Sequence, residues 1–278
     1  MKIDAHQHFW QYNPDEYSWI DKSMNKLKRD FLPSDLNAEI EGMQFQGTIA
    51  VQARQSLDET RWLLSLGEQN DFIKGVVGWV DLCSSKVDTQ LQVFAAFKKL
   101  VGIRHVIHDE PDIDFMLRDD FQRGISALAK HNLVYDLLIF PEHLSQANKL
   151  VDAFPEQVFV VDHIAKPRIK EQLYEPWKSE IEELAHHPNV YCKLSGLVTE
   201  ADWYNWKEED FTPYLDHVIS CFGINRLMIG SDWPVCTVAG SYRKILQLVI
   251  DYLEQYPPVV QDNILGGTCS KVYLERGS

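Results

Sequence analysis

The sequence predicts an α/β fold, a single-domain (β/α)8 TIM barrel over residues 1–278, and three observations predict it. Eight short β-branched or apolar runs begin at residues 2, 48, 74, 101, 133, 158, 190 and 226, spaced far enough apart for a strand plus a crossover helix. Segments with apolar residues three and four positions apart fill the gaps between them. An open doubly wound sheet would carry a glycine-rich phosphate turn after its first strand, and no GxGxxG occurs.

The elements follow in order. The first strand, Lys2–Ala5, leads into His6-Gln7-His8, and about 40 residues then separate it from the second, Thr48–Ala53, enough for a lid carrying Trp19. Ser56-Leu57-Asp58-Glu59 reads as a capping box opening a helix over Thr60–Gln69. The third strand, Lys74–Val80, precedes a helix over Thr89–Leu100, and the fourth, Val101–Ile107, precedes one over Phe121–His131. The fifth, Leu133–Phe140, runs into Pro141, which suits the start of a helix over Glu142–Ala153. Strands Val158–Asp162, Val190–Leu194 and Arg226–Gly230, with helices Pro176–His186, Tyr214–Phe222 and Tyr242–Gln255, complete the set. No low-complexity tract or Pro/Gly linker breaks the pattern, so one domain is expected.

Composition narrows the partners. With 27 Lys+Arg against 41 Asp+Glu, the formal charge of −14 argues against nucleic acid and anionic membrane surfaces, both of which need a positive footprint. No apolar run reaches the ~18 residues of a membrane span. The N-terminus is polar where a signal peptide needs an apolar stretch. Five scattered cysteines without a CxxC pair suit reduced thiols, and a cytoplasmic location is expected.

In a barrel, chemistry belongs at the C-terminal ends of the strands. His6 and His8 stand two apart at the end of the first strand and so share a face, where two imidazoles suit either a divalent metal at ~2.0–2.1 Å or two hydrogen-bonded core histidines. The sixth strand ends at Asp162-His163 and the eighth at Gly230-Ser231-Asp232-Trp233-Pro234. Singly, His163 suits a helix cap and Asp232 a turn. Together the four residues place chemistry at three strand ends of one barrel.

The segments DAHQHFW (4–10), SWI (18–20), GIRH (102–105), DHIAKP (162–167), KLSGLV (193–198), RLMIGSDWPV (226–235) and the final GG…VY (266–273) resemble the amidohydrolase superfamily nearly end to end. The likeness is greatest to its amidohydrolase-2 branch and, within it, to the sugar-acid lactonases that include L-fuconolactonase and L-rhamnonolactonase. The resemblance implies that His6 and His8 are metal ligands, joined by His163 and Asp232, and that Asp232 orients or deprotonates the attacking water. Two-metal members carry a bridging Lys or Glu on strand four and a further His on strand five; Gly102–Val106 and Leu133–Phe140 lack them. At most one Zn²⁺-like divalent ion is therefore expected, a metal-independent site is the alternative, and no organic cofactor is implied.

The expected reaction is hydrolysis of a sugar-acid lactone, a small-molecule substrate, by attack of water on the ester carbonyl. Asp232, or His163 in a metal-free site, serves as base; Asp232 would need its pKa raised by burial to work near neutrality. Either a metal or cationic side chains polarise the carbonyl, with Arg104 and Lys193 as candidates. Neighbouring residues on a strand face opposite ways, so either Arg104 or His105 points inward to the substrate, and each cation equally suits an ion pair with Asp4 or Asp136. Asp4 is expected on the His6 face one layer deeper. Trp19 and Trp233, in loops on the functional side, are candidate contacts for the C–H face of a sugar. A metal-dependent decarboxylase or C–N amidohydrolase of the same branch is the first alternative, and a ligand-binding barrel without turnover the second. The particular lactone and the oligomeric state are left open by the sequence.

Overall fold

The computed structural model describes residues 1–275; Arg276–Ser278 of the expected single unit lie outside the described residues. Eight parallel strands pair in sequence order: β1 (Ile3–Gln7), β2 (Gly47–Val51), β3 (Ile73–Gly78), β4 (Leu100–Val106), β5 (Val134–Leu138), β6 (Phe159–Val161), β7 (Val190–Leu194) and β8 (Leu227–Ile229). The ring closes just beyond β8, where His8 N–H donates to Trp233 O at 2.7 Å and Asp232 N–H to His6 O at 2.8 Å. The loop that completes the barrel thus carries Asp232.

The outer layer is α1 (Pro33–Gly42), α2 (Leu57–Gln69), α3 (Val87–Phe94), α4 (Asp119–Ala129), α5 (Leu144–Ala153), α6 (Trp177–Ala185), α7 (Thr212–Phe222) and α8 (Tyr242–Leu253), with a short α9 (Pro258–Asp262). The expected single-domain TIM barrel is present, with every expected strand within a few residues of its place. Expectation and structure part in four places, one of them the short α9, where no helix was expected. Helix α1 lies inside the stretch expected as a lid, announced by Pro33 in its first turn and by Leu36 and Ile40 one turn apart on its buried side. Helix α3 stops at Phe94, well short of Leu100, because Leu100 is already the first residue of β4. At α2, Ser56 Oγ does accept from Glu59 N–H, but the Glu59 carboxylate turns away to accept from Ala53 and Arg54 N–H at 3.1 and 3.0 Å.

Two apolar bodies result. The larger lies between sheet and helices. The smaller fills the bottom of the barrel, where Ile49, Val77, Val134, Val160 and Met228 meet Val272 and Tyr273 of the C-terminal segment. Charged residues therefore occupy only the upper half of the interior. All five cysteines are free, and among the described residues no helix is long and apolar enough to cross a membrane.

Candidate active site

His6 and His8 both reach the barrel interior from the end of β1, where the pairing with β2 slips register between Asp4 and Gln7. Gly230 makes room for His6, since a Cβ there would stand 2.8 Å from that of His6. The same irregularity separates Asp4 from His6. Asp4 is turned to the β8 loop and accepts from Ser231 N–H at 2.8 Å and Ser231 Oγ–H at 2.6 Å, so it is not the deeper neighbour of His6 that strand alternation implied. Burial pushes its carboxyl up to about 6.

The tautomers follow from the partners. His8 Nδ1–H donates to Val51 O at 2.8 Å, which leaves its Nε2 with a lone pair. His6 Nδ1 stands 3.2 Å from the Asp162 carboxylate, which can only accept, so His6 also turns a lone pair on Nε2 toward the cavity. Burial holds the His6 imidazole well below its usual pKa. The two Nε2 atoms lie 3.2 Å apart, with Asp232 Oδ1 at 3.9 Å from one and 3.4 Å from the other. Three electron-rich atoms converge, and the donor nearest them is Arg104 Nη1, 3.3 Å from His6 Nε2. That fits a divalent cation, and His6, His8 and Asp232 form one three-residue grouping able to hold it. His163 falls in an overlapping grouping with His6 and Asp162.

Asp232 departs from expectation. Burial does raise its carboxyl, but His163, His8 and Lys166 outweigh burial and leave the pKa below the ordinary value. It is an ionised acceptor rather than a base tuned upward. His163 sits with Nε2 3.8 Å from Asp232 Oδ1 and Nδ1 2.9 Å from Ser195 Oγ, and burial keeps it neutral. Gly196, at φ +61°, is required there, because a Cβ would stand 2.5 Å from His163 Nδ1.

Beneath these groups lies a network of which the sequence reading named one pair, Lys193 with Asp136, as an alternative, but not the central part of Asp162. Asp162 binds His6, Arg104 Nη1 at 2.9 Å and Lys193 Nζ at 2.9 Å; burial would raise its carboxyl, but Lys193, His6 and Arg104 hold it well below the usual range. Lys193 Nζ also donates to Asp136 at 2.5 Å, and Tyr273 O–H donates to Asp136 from below. Lys193 is therefore buried under the site and does not line the cavity, which removes it as a substrate contact. Arg104 does face inward: Nη1 lies 3.3 Å from His6 Nε2 and Nη2 donates to Gln52 O. His105 faces the helix layer, stacked on Phe115 with Nε2 at 2.6 Å from Glu110, so alternation along β4 excludes it from the substrate side.

Above the histidines opens a cavity of about 350 Å³. Its apolar wall includes Trp19, Phe140 and Trp203; its polar wall includes Arg104, His108, Asp109, Lys166 and Glu200. Trp19 stands where expected, held edge-on against Trp10. Trp233 does not: its ring packs on Phe9 and Phe31 behind the site and is 4% exposed. Lys166 and Glu200 carried no spacing signal, since they follow β6 and β7 in irregular segments. The Lys166 signal is conformational: His163, Ile164, Ala165 and Lys166 all have positive φ, a run costing about 1–2 kcal/mol per residue. Such strain concentrates at functional sites.

The amidohydrolase family model matches residues 3–274. An L-fucono-1,5-lactonase of Burkholderia multivorans is 37% identical over 98% of this chain and 96% of its own. An L-fucono-1,5-lactonase of Burkholderia ambifaria is 38% identical over 87% of this chain and 83% of its own. A crystal structure of an amidohydrolase from Burkholderia multivorans with bound zinc superposes with a TM-score of 0.96 at 37% identity, covering 98% of this chain and 99% of that one.

Proposed function

The chain belongs to the amidohydrolase family, and on that premise we propose that it hydrolyses a sugar-acid lactone, with L-fucono-1,5-lactone the first substrate to try. The observation that carries this reading is the alignment of nearly the whole chain with a lactonase. The site supplies what ester hydrolysis requires. In this reading the carbonyl carbon would sit over His6, His8 and Asp232, with the sugar ring against Trp19 and its hydroxyls toward the polar side chains that line the same cavity. His6, His8 and Asp232 would hold a divalent ion, which would supply carbonyl polarisation and a more acidic water.

The chain's own residues do the rest. Asp232, ionised, accepts the proton of the attacking water. Its low pKa makes it a weak base, so His163, neutral and 3.8 Å away, is the group that relays that proton. Arg104 donates toward the oxygen on which charge develops, its guanidinium fixed by Asp162 and Gln52. The bond from the acyl carbon to the ring oxygen breaks, and that oxygen takes the proton. Lys193, Asp136 and Asp162 act through His6 and Arg104 by fixing their orientation.

Residues 1–278 act as one unit in this reading. The five free thiols support the cytoplasm as its location, and the charge of −14 supports a role apart from nucleic acid. The test is a pH-indicator assay of metal-stripped protein against a panel of aldonolactones, repeated with Zn²⁺ restored. Turnover of L-fucono-1,5-lactone is expected. No turnover of any lactone with Zn²⁺ present would sink the proposal, and carboxylic acids would then test the decarboxylase alternative.

A further inference from the structure

His163–Lys166 form a single left-handed turn, with Lys166 N–H donating to His163 O at 2.8 Å. In so tight a turn, residues three apart come to the same side, so Lys166 is carried beside His163 onto the cavity wall. The turn is held from behind: Ile164 and Ala165 are fully buried, and Trp177 Nε1–H donates to Ile164 O at 2.7 Å. Backbone strain and burial thus both serve to aim Lys166 into a cavity it would otherwise miss. Its Nζ donates to Glu200 Oε1 at 2.8 Å, and both side chains are mostly buried yet line the cavity.

We propose that Lys166 and Glu200 are a specificity-determining pair that reads two neighbouring hydroxyl groups of the lactone. The inference rests on the lactonase reading above. An ammonium only donates and a carboxylate only accepts, whereas a hydroxyl does both. Fixed side by side, the two offer one hydroxyl a donor and its neighbour an acceptor, both charge-assisted. Among the described residues Arg104 and Lys166 are the cations lining the cavity. Arg104 is committed to Asp162, His6 and Gln52 next to the reacting carbonyl, which leaves Lys166 for the rest of the ring. The pair is neutral overall, so it selects by hydrogen bonding rather than by charge.

The experiment compares kcat/KM for L-fucono-1,5-lactone and for δ-valerolactone, the same ring without hydroxyls, with zinc-loaded wild type, Lys166→Met, Glu200→Gln and the double variant. Each single variant is expected to raise KM for the sugar lactone ~10–100-fold, with KM for δ-valerolactone changed less than ~3-fold; the change in kcat that Lys166→Met causes by removing a charge facing Asp232 falls on both lactones alike. The double variant is expected to be no worse than the poorer single one, because each residue works only with its partner. It also leaves no charge unpaired, so a thermal midpoint near that of wild type separates lost recognition from lost folding. Equal rises in KM on both lactones, or no rise on the sugar lactone, overturn the pair while leaving the lactonase reading intact. Failure of wild type to turn over the sugar lactone overturns both.

Discussion

His6 and His8 hold their Nε2 atoms 3.2 Å apart at the bottom of the cavity, and the outer nitrogen of each ring is spoken for, by Asp162 and by Val51 O. Arg104 Nη1 faces the His6 lone pair at 3.3 Å, and a divalent cation held by both rings and Asp232 would offset the repulsion between the two lone pairs. His6→Ala and His8→Ala should each lower bound zinc from about one equivalent to near zero, because three protein ligands are the minimum for a tight open site. Elemental analysis after dialysis checks this. Undiminished zinc in both variants would place the ion elsewhere.

Asp232→Asn preserves shape and removes the charge that accepts the proton of water. The expected loss in kcat is ~10²–10⁴-fold with a native far-ultraviolet spectrum. A rate within a few-fold of wild type would exclude Asp232 from the proton transfer.

Asp162→Asn should destabilise the fold by about 3–5 kcal/mol, because it removes one partner from a buried cluster that includes Arg104 and Lys193. Urea unfolding measures it. If the midpoint were unchanged, the cluster would not need this carboxylate, and Asp136 alone would be holding Lys193.

Glu59 makes stability depend on pH. Burial lifts its carboxyl from 4.5 to about 7, although Arg54 and Ala53 N–H and the Arg54 side chain work against the shift; Tyr17 O–H and Glu16 complete its charged and titratable surroundings. Between these two values the folded chain holds a proton that the unfolded chain has released, so stability falls as pH rises from about 4.5 to about 7. The difference integrates to about 3 kcal/mol. Glu59→Gln should flatten that part of the melting-temperature curve. A curve of unaltered slope would assign the dependence to other carboxyls, such as Asp4.

Trp19→Ala should raise KM several-fold with kcat little changed, because an aromatic face of this kind is worth about 0.5–1.5 kcal/mol in binding and touches no reacting atom. Steady-state kinetics decides. A loss confined to kcat would make Trp19 part of loop closure rather than of the sugar subsite.

Much of this molecule is written in its one-dimensional pattern. Strand and helix periodicities fix which segments pack, and parallel strands with crossover helices leave a barrel as the economical closure, so His6, His8, His163 and Asp232 could be placed at one end before any coordinate was known. Hydrophobic periodicity has less to say where the backbone is irregular. The β1 register slip that separates Asp4 from His6, and the left-handed turn that aims Lys166, leave no periodic trace.

The sequence by itself determined the barrel and the identity of the four groups at its floor, because both follow from local spacing. Only the tertiary structure decided that Arg104 rather than His105 faces inward, that Lys193 lies beneath the site with Asp136 and Asp162, and that Trp233 packs behind it. It also decided that Asp232 stays ionised, since its pKa is set by His163, His8 and Lys166, the second of them 224 positions away in the chain. Ionisation depends on which charges lie within a few ångströms in space, and only the folded chain brings those charges together.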